Sequence, residues 1–189
     1  MKKITFITAA LLISAATFAQ TWSVDKAHSR VGFGVTHLGI SEITGNFKSF
    51  DSKITSSKED FSDAVIELTA DVSSINTDND QRDGHLKSPD FFDAAKFSTF
   101  SFKSSSFKKV SGKQYKLAGD LTLHGITKPV VLDVVFNGTT VNPMSKKTLA
   151  GFKITGIIKR SDFAIGASFP APMVSDEVAL TANTEFSKD

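Results

Sequence analysis

The sequence predicts an all-β domain of roughly eight antiparallel strands with one short helical insert near residues 79–88. Three observations predict it. Apolar residues recur at every second position through most of the chain, the period of a strand with one buried face. Gly, Asn and Pro turn signals divide these runs. One stretch, Asp80-Gln81-Arg82-Asp83-Gly84-His85-Leu86-Lys87-Ser88-Pro89-Asp90-Phe91-Phe92-Asp93, breaks the pattern with charges, a histidine and paired phenylalanines.

Residues 1–19 carry Lys2 and Lys3 followed by an uncharged apolar run from Ile4 to Phe18, ending at Ala19. This is the pattern of a cleaved secretory signal peptide. The run is short for a membrane span, although an uncleaved anchor is the alternative reading. Gln20, not Cys, follows, so no cysteine is available there for lipid attachment. The expected mature domain is 20–189, exported and soluble.

Its first run, Thr21 to Leu38, places Val31, Phe33, Val35 and His37 on one face and Gly32, Gly34 and Thr36 on the other. Glycines at alternate positions point to a bend or a close backbone approach. Gly39 ends the run, and Ser41 to Thr55 resumes it with Ile43, Phe47, Phe50 and Ile54. After a polar link at 57–63, Ala64, Ile66, Leu68, Ala70 and Val72 share one face. The insert follows, its helix halted by Pro89.

Phe97 to Val110 alternates again, with Phe100 and Phe102 on one face, and Ser111-Gly112-Lys113 reads as a hairpin turn. Tyr115 to His124 carries Leu117, Leu121 and Leu123; residues 125–129, ending in Pro129, read as the next turn. Val130, Leu132, Val134 and Phe136 form a strand face that Asn137-Gly138 is expected to end, since Asn-Gly is a strong hairpin signal. Residues 141–148 read as a loop. Phe152, Ile154, Gly156 and Ile158 alternate, 164–176 is irregular, and Val178 to Phe186 is the last strand. From the residues alone such a sheet is either sandwiched or closed; closure removes exposed edges.

Composition narrows function. The 189 residues include no cysteine, which excludes disulfides, thiolate metal sites and a cysteine nucleophile. The chain holds 22 basic and 20 acidic residues; without Lys2 and Lys3 the counts are equal, which argues against a general nucleic-acid binder. Seventeen phenylalanines fit a thick core or an oily cavity equally well. His28, His37, His85 and His124 include no i, i+4 pair, so no metal site is expected, with one assembled from distant positions as the alternative reading. Residues 78–89 do not make a calcium loop, because Asp83 stands where Gly is needed. No phosphate loop or Gly-x-Ser-x-Gly elbow occurs, and no cofactor is implied.

Four blocks carry a resemblance. They are Trp22-Ser23-Val24-Asp25-Lys26-Ala27-His28-Ser29 with Phe33-Gly34-Val35-Thr36-His37-Leu38-Gly39; Arg82-Asp83-Gly84-His85-Leu86 with Ser88-Pro89-Asp90-Phe91-Phe92-Asp93; Gly119 to Val130; and Arg160-Ser161-Asp162-Phe163. In this order they resemble the YceI-like family across nearly all of the mature chain. The resemblance implies a lipocalin-like antiparallel β-barrel, exported to the periplasm, that holds a long isoprenoid or similar lipid. It departs at Ala164, where many relatives have Gly.

The expected apolar lining is Phe33, Val35, Ile66, Leu68, Phe91, Phe92, Phe100, Phe102, Leu121, Phe152 and Ile154, with a dry core as the alternative. Phe91 and Phe92 read either as a lid or as an anchor of the helix on the sheet. Arg82, Asp83, His85, His124, Arg160 and Asp162 are expected to form a polar cluster, structural or facing a lipid headgroup. No catalytic residue is expected. Other readings are a ligand-free envelope stress protein, or a small hydrolase or isomerase using His85 or His124. A homodimer stays open.

Overall fold

The computed structural model describes residues 19–189. The expected leader lies outside the described residues, except for Ala19. The strands are β1 (Gln20–Val24), β2 (Arg30–His37), β3 (Ser41–Phe47), β4 (Phe50–Ser56), β5 (Val65–Asp71) and β6 (Ile75–Asn76), then β7 (Thr99–Ser111), β8 (Gln114–Leu123), β9 (Ile126–Val141), β10 (Thr148–Lys159) and β11 (Val174–Lys188). A single helix, α1 (Asp80–Leu86), stands between β6 and β7.

All neighbouring strands run antiparallel in the order β1-β4-β5-β7-β8-β9-β10-β11, and β11 pairs back onto β1. That closes a barrel of eight strands. β2, β3 and β6 extend its wall upward. β1 and β2 share one edge of β11, with Val24 opposite Phe186 and Arg30 opposite Asn183. The first predicted strand is therefore one path broken in the middle. The break is a 3-10 turn at Lys26–His28, capped by the Asp25 carboxylate, which accepts from the Ala27 and His28 amides. The bend falls there and not at the glycines. Close approach does hold at Gly32, where a Cβ would meet the Gly45 carbonyl at 2.9 Å.

Two expected turns are corrected. Residues 125–129 do not form a turn: the chain reverses at His124 and Gly125, both with positive φ, and Pro129 lies in β9 opposite Asp120. Such a two-residue turn matches the twist of its strands. Asn137-Gly138 does not end a strand either. Gly138 has φ +123 and lies within β9, where the pairing to β10 slips by one residue at Gly151 and Phe152. Asn-Gly supplies the backbone freedom a bulge needs as readily as that of a turn. The turns at Gly112 and near Gly39 stand as expected.

One end of the barrel is plugged. The link between β4 and β5 turns inward and buries Phe61, which is 1% exposed, among Trp22, Phe136 and Phe152 at centroid distances of 5.1, 5.3 and 5.2 Å. Phe61 adopts φ +58, a conformation that costs a bulky residue about 1–2 kcal/mol. Burial of its ring outweighs that cost. The link is held by Asp63, which accepts from the hydroxyls of Ser56 and Ser57 and from the Ser57 amide. Desolvation pushes the Asp63 carboxyl up, but these hydrogen bonds outweigh it and hold it well below the usual range. The Tyr115 hydroxyl donates to the Asp60 carbonyl at 2.8 Å and fixes the same link to β8. We expect Phe61→Ala to cost about 3–5 kcal/mol in urea unfolding, the cost of a large buried aromatic.

Candidate functional site

Above the plug the barrel encloses an apolar cavity of about 410 Å³. This lies within the roughly 300–1,000 Å³ of small-molecule sites. Phe33, Val35, Ile66, Leu68, Phe91, Phe92, Phe100, Phe102, Leu121, Phe152 and Ile154 all border it. Ile66, Leu68 and Ile154 are only half-buried although they border the interior. Their open area faces the void, which a dry core would have filled.

The void exists because large side chains lie along the wall. Each crosses an inward glycine on the next strand. A Cβ on Gly45 would meet the Phe33 ring at 2.5 Å, one on Gly119 the Phe102 ring at 2.5 Å, and one on Gly156 Leu132 at 2.4 Å. Absence of a side chain at these three places lets the neighbour lie flat, leaving the barrel axis open.

The far end is the mouth, framed by α1, the β2–β3 hairpin and the 164–175 segment. Arg160, at the end of β10, organises that segment. Its guanidinium is buried and donates to five backbone carbonyls: Ser175, Ile165, Gly166, Phe169 and Val174. Every N–H of the fork is used. Among the described residues no carboxylate lies within ion-pair distance of it. The carbonyl dipoles balance the charge instead. Ala164 takes φ +53, the left-handed conformation in which glycine is at ease, so an alanine there carries local strain.

Ile165, Phe169, Met173 and Val174 from this segment join the cavity wall. Sequence reading missed them because the segment has no period. Phe169 stacks on Phe91 at 4.7 Å, and His85 meets both rings edge-on at 5.0 and 5.6 Å. Phe91 is thus both anchor and wall. Phe92 sets its edge on Phe47 at 6.1 Å.

The polar residues do not form one cluster. Arg82 and Asp83 converge on Thr77: Arg82 donates to its carbonyl and hydroxyl, and Asp83 accepts from its amide and hydroxyl. His85 Nε2 lies 3.3 Å from Asp90, and no Ser or Thr hydroxyl bonds to it among the described residues. His124 donates from Nδ1 to the Phe163 carbonyl at 3.0 Å, under the Phe97 ring. Asp162 is exposed, and Asp176 takes the hydrogen bonds of Ser161. Arg82, His85 and Arg160 border the cavity; Asp83, His124 and Asp162 do not.

Elsewhere, Asp25, His28 and Glu185 bring their ligand-type atoms within 4.8 Å of one another. The separation of 157 positions between His28 and Glu185 hid this in the sequence. Hydrogen bonding explains the grouping: His28 Nδ1 lies 2.9 Å from Asp25, and the Asp25 amide donates to the Glu185 carbonyl. The Asp25 hydrogen bond, then the charges of Asp25 and Glu185, push the His28 pKa up. The same hydrogen bond, against desolvation and with the Ala27 amide, pulls Asp25 down.

Together these features define a closed antiparallel barrel with a plugged base and a blind apolar cavity. The family model of the YceI-like domain matches residues 22–186, and the chain belongs to that family. A UPF0312 protein of Staphylococcus aureus (strain bovine RF122 / ET3-1) is 37% identical over 170 residues, covering 88% of this chain and 96% of the relative. The crystal structure of a Campylobacter jejuni YCEI protein superposes with a TM-score of 0.74 at 35% identity, covering 87% of this chain and 96% of that one. A structure described as a polyisoprenoid binding domain from Saccharophagus degradans superposes with a TM-score of 0.67 at 16% identity, covering 90% and 99%, and shares the fold.

Two outcomes are expected. Arg160→Lys replaces five fixed donors by three on a flexible stem, so it should cost about 3 kcal/mol or more. Hydrogen exchange at the amides of 164–175 should rise with it. For His28, the raised pKa gives stability that is full below the ordinary imidazole value of 6.5 and lost as pH rises through the folded value. For Asp25, the lowered pKa gives stability present above 3.8 and lost as pH falls through the folded value. His28→Gln should therefore lower the melting temperature more at about pH 5.5 than at about pH 8.5.

Proposed function

We propose that this protein is an exported carrier that holds a long-chain isoprenoid or similar amphiphilic lipid in its barrel. The blind apolar cavity carries the reading: its half-buried wall residues gain only when an apolar guest covers them. Each CH₂ removed from water is worth about 0.8 kcal/mol. Ordering a flexible tail and losing its free motion offset several kcal/mol. Tight binding therefore needs a long tail more than a particular head. Family membership and the described binding of the Saccharophagus degradans relative support this choice of lipid. The leader pattern at 1–19 supports export to the periplasm.

The tail lies along the axis against Phe33, Leu68, Phe102 and Ile154, with the head at the mouth. There Arg82 and His85 border both the cavity and a small polar depression shared with Asn79 and Gln81. Arg82 spends Nε and one terminal nitrogen on Thr77, and its other terminal nitrogen has no partner among the described residues. That nitrogen is the donor for a phosphate or carbonyl head. Among the described residues no hydroxyl is hydrogen-bonded to His85 or His124, whose ring nitrogens meet Asp90 and the Phe163 carbonyl.

Native mass spectrometry of protein purified from its own envelope, followed by organic extraction, is expected to show one long-chain lipid per barrel. Leu68→Trp should fill the void and weaken isoprenoid binding about ten-fold or more while the fold persists by circular dichroism. A clean apo mass with no uptake of added isoprenoid would overturn the carrier reading in favour of a ligand-free envelope protein.

A further inference from the structure

Two of the three segments that frame the mouth carry no charge; the third, α1, brings Arg82 to the cavity. Residues 36–41, at the tip of the β2–β3 hairpin, and 164–175, in the facing segment, contain no Asp, Glu, Lys or Arg, in a chain that is 22% charged. Each also exposes large apolar side chains. Ile40 is 86% exposed, Leu38 54% and Met173 43%. Neither packing nor turn chemistry explains Leu38. It occupies the left-handed region at φ +51, ahead of Gly39 at φ +71, where Asn, Asp or Gly is the favoured residue. Its amide donates to the Met173 carbonyl at 3.0 Å, which joins the hairpin tip to the facing segment as one rim. Met173 also borders the cavity, with Val174 beside it. Met173 thus links the exposed hairpin tip to the cavity wall. Other exposed apolar side chains, among them Met144 at 92%, Val110, Val131, Val141 and Ile157, do not border the cavity.

We propose that this rim docks on a lipid bilayer surface, so that the cavity opens onto the membrane from which its guest is drawn. This rests on the carrier reading. Three side chains are too few for a stable protein interface, which takes roughly 800 Å² per partner. They suit shallow insertion among headgroups, where each apolar side chain leaves water independently. The hairpin tip and the facing segment, both without charges, enter that layer with no ion to desolvate. Docking is therefore driven by apolar contact and owes little to bilayer charge.

The experiment uses Ile40→Trp, because the natural Trp22 is buried at the plugged end and reports little. Emission at position 40 should shift to the blue with neutral phosphatidylcholine vesicles and keep that shift at high salt. Leu38→Asp with Ile40→Asp, both at exposed positions, should slow isoprenoid uptake from vesicles about ten-fold. Binding of the same isoprenoid delivered from detergent should be unchanged. No blue shift, a shift that needs anionic vesicles, or one that appears on concentrating the protein alone would overturn docking. Equal uptake rates from vesicles for the wild type and the double variant would also overturn it. Failure of the wild type to bind isoprenoid from detergent would overturn the carrier reading instead, and the emission shift would still decide docking.

Discussion

The structure depends on the edge that β11 offers to β1 and β2. An eleven-residue antiparallel ladder with β10 holds this strand along one edge, and the two early strands share its other edge end to end. Without that closure, β1 and β11 would be open edges with unpaired amides, the template for aggregation. Closure also removes the need to fill the interior. A sandwich stands only if its two sheets pack; a closed barrel is held by its ladder, so its axis can stay empty.

An empty axis shifts the burden of packing to the ends. At the base, one strained phenylalanine is pressed between three aromatic rings, and Asp63 and Tyr115 fix the link that carries it. At the mouth, stability comes from a polar device. Arg160 gathers three carbonyls of the irregular 164–173 path and two at the start of β11. Buried backbone carbonyls need donors, and a planar fork with five N–H groups meets that need in one side chain. The base therefore resists opening, while the mouth keeps its shape without filling its opening.

Between the ends, phenylalanine and glycine act as a pair. The chain's many phenylalanines look like core in composition. Their effect depends on where glycine stands on the adjacent strand. Phe33 over Gly45 and Phe102 over Gly119 spread their area along the wall. An alanine at Gly45 would force the Phe33 ring aside, toward the space a guest would use, and one at Gly119 would strike the Lys103 carbonyl as well as the Phe102 ring.

Much of this was legible in the sequence. Period-two alternation determines which side chains face inward, because successive side chains leave a strand on opposite sides; Phe33, Leu68, Phe102 and Ile154 were readable on that ground alone. Pro89 and the polar run before it determined the helix. Other features depend on neighbours that only folding supplies. Asn137-Gly138 is locally a turn, but the long β9–β10 ladder absorbs it as a bulge. Arg160 looked like a partner for histidine and acid, and the tertiary path of 164–175 gave it carbonyls instead. The six polar residues are split among separate partners by strand positions that no spacing encodes. The sequence by itself determined the strands, their inward faces and the insert, since these follow from local stereochemistry and hydrophobic period. Only the tertiary structure decided that the sheet closes, that its axis stays open and that one end is a mouth, because each depends on contacts between residues far apart in the chain.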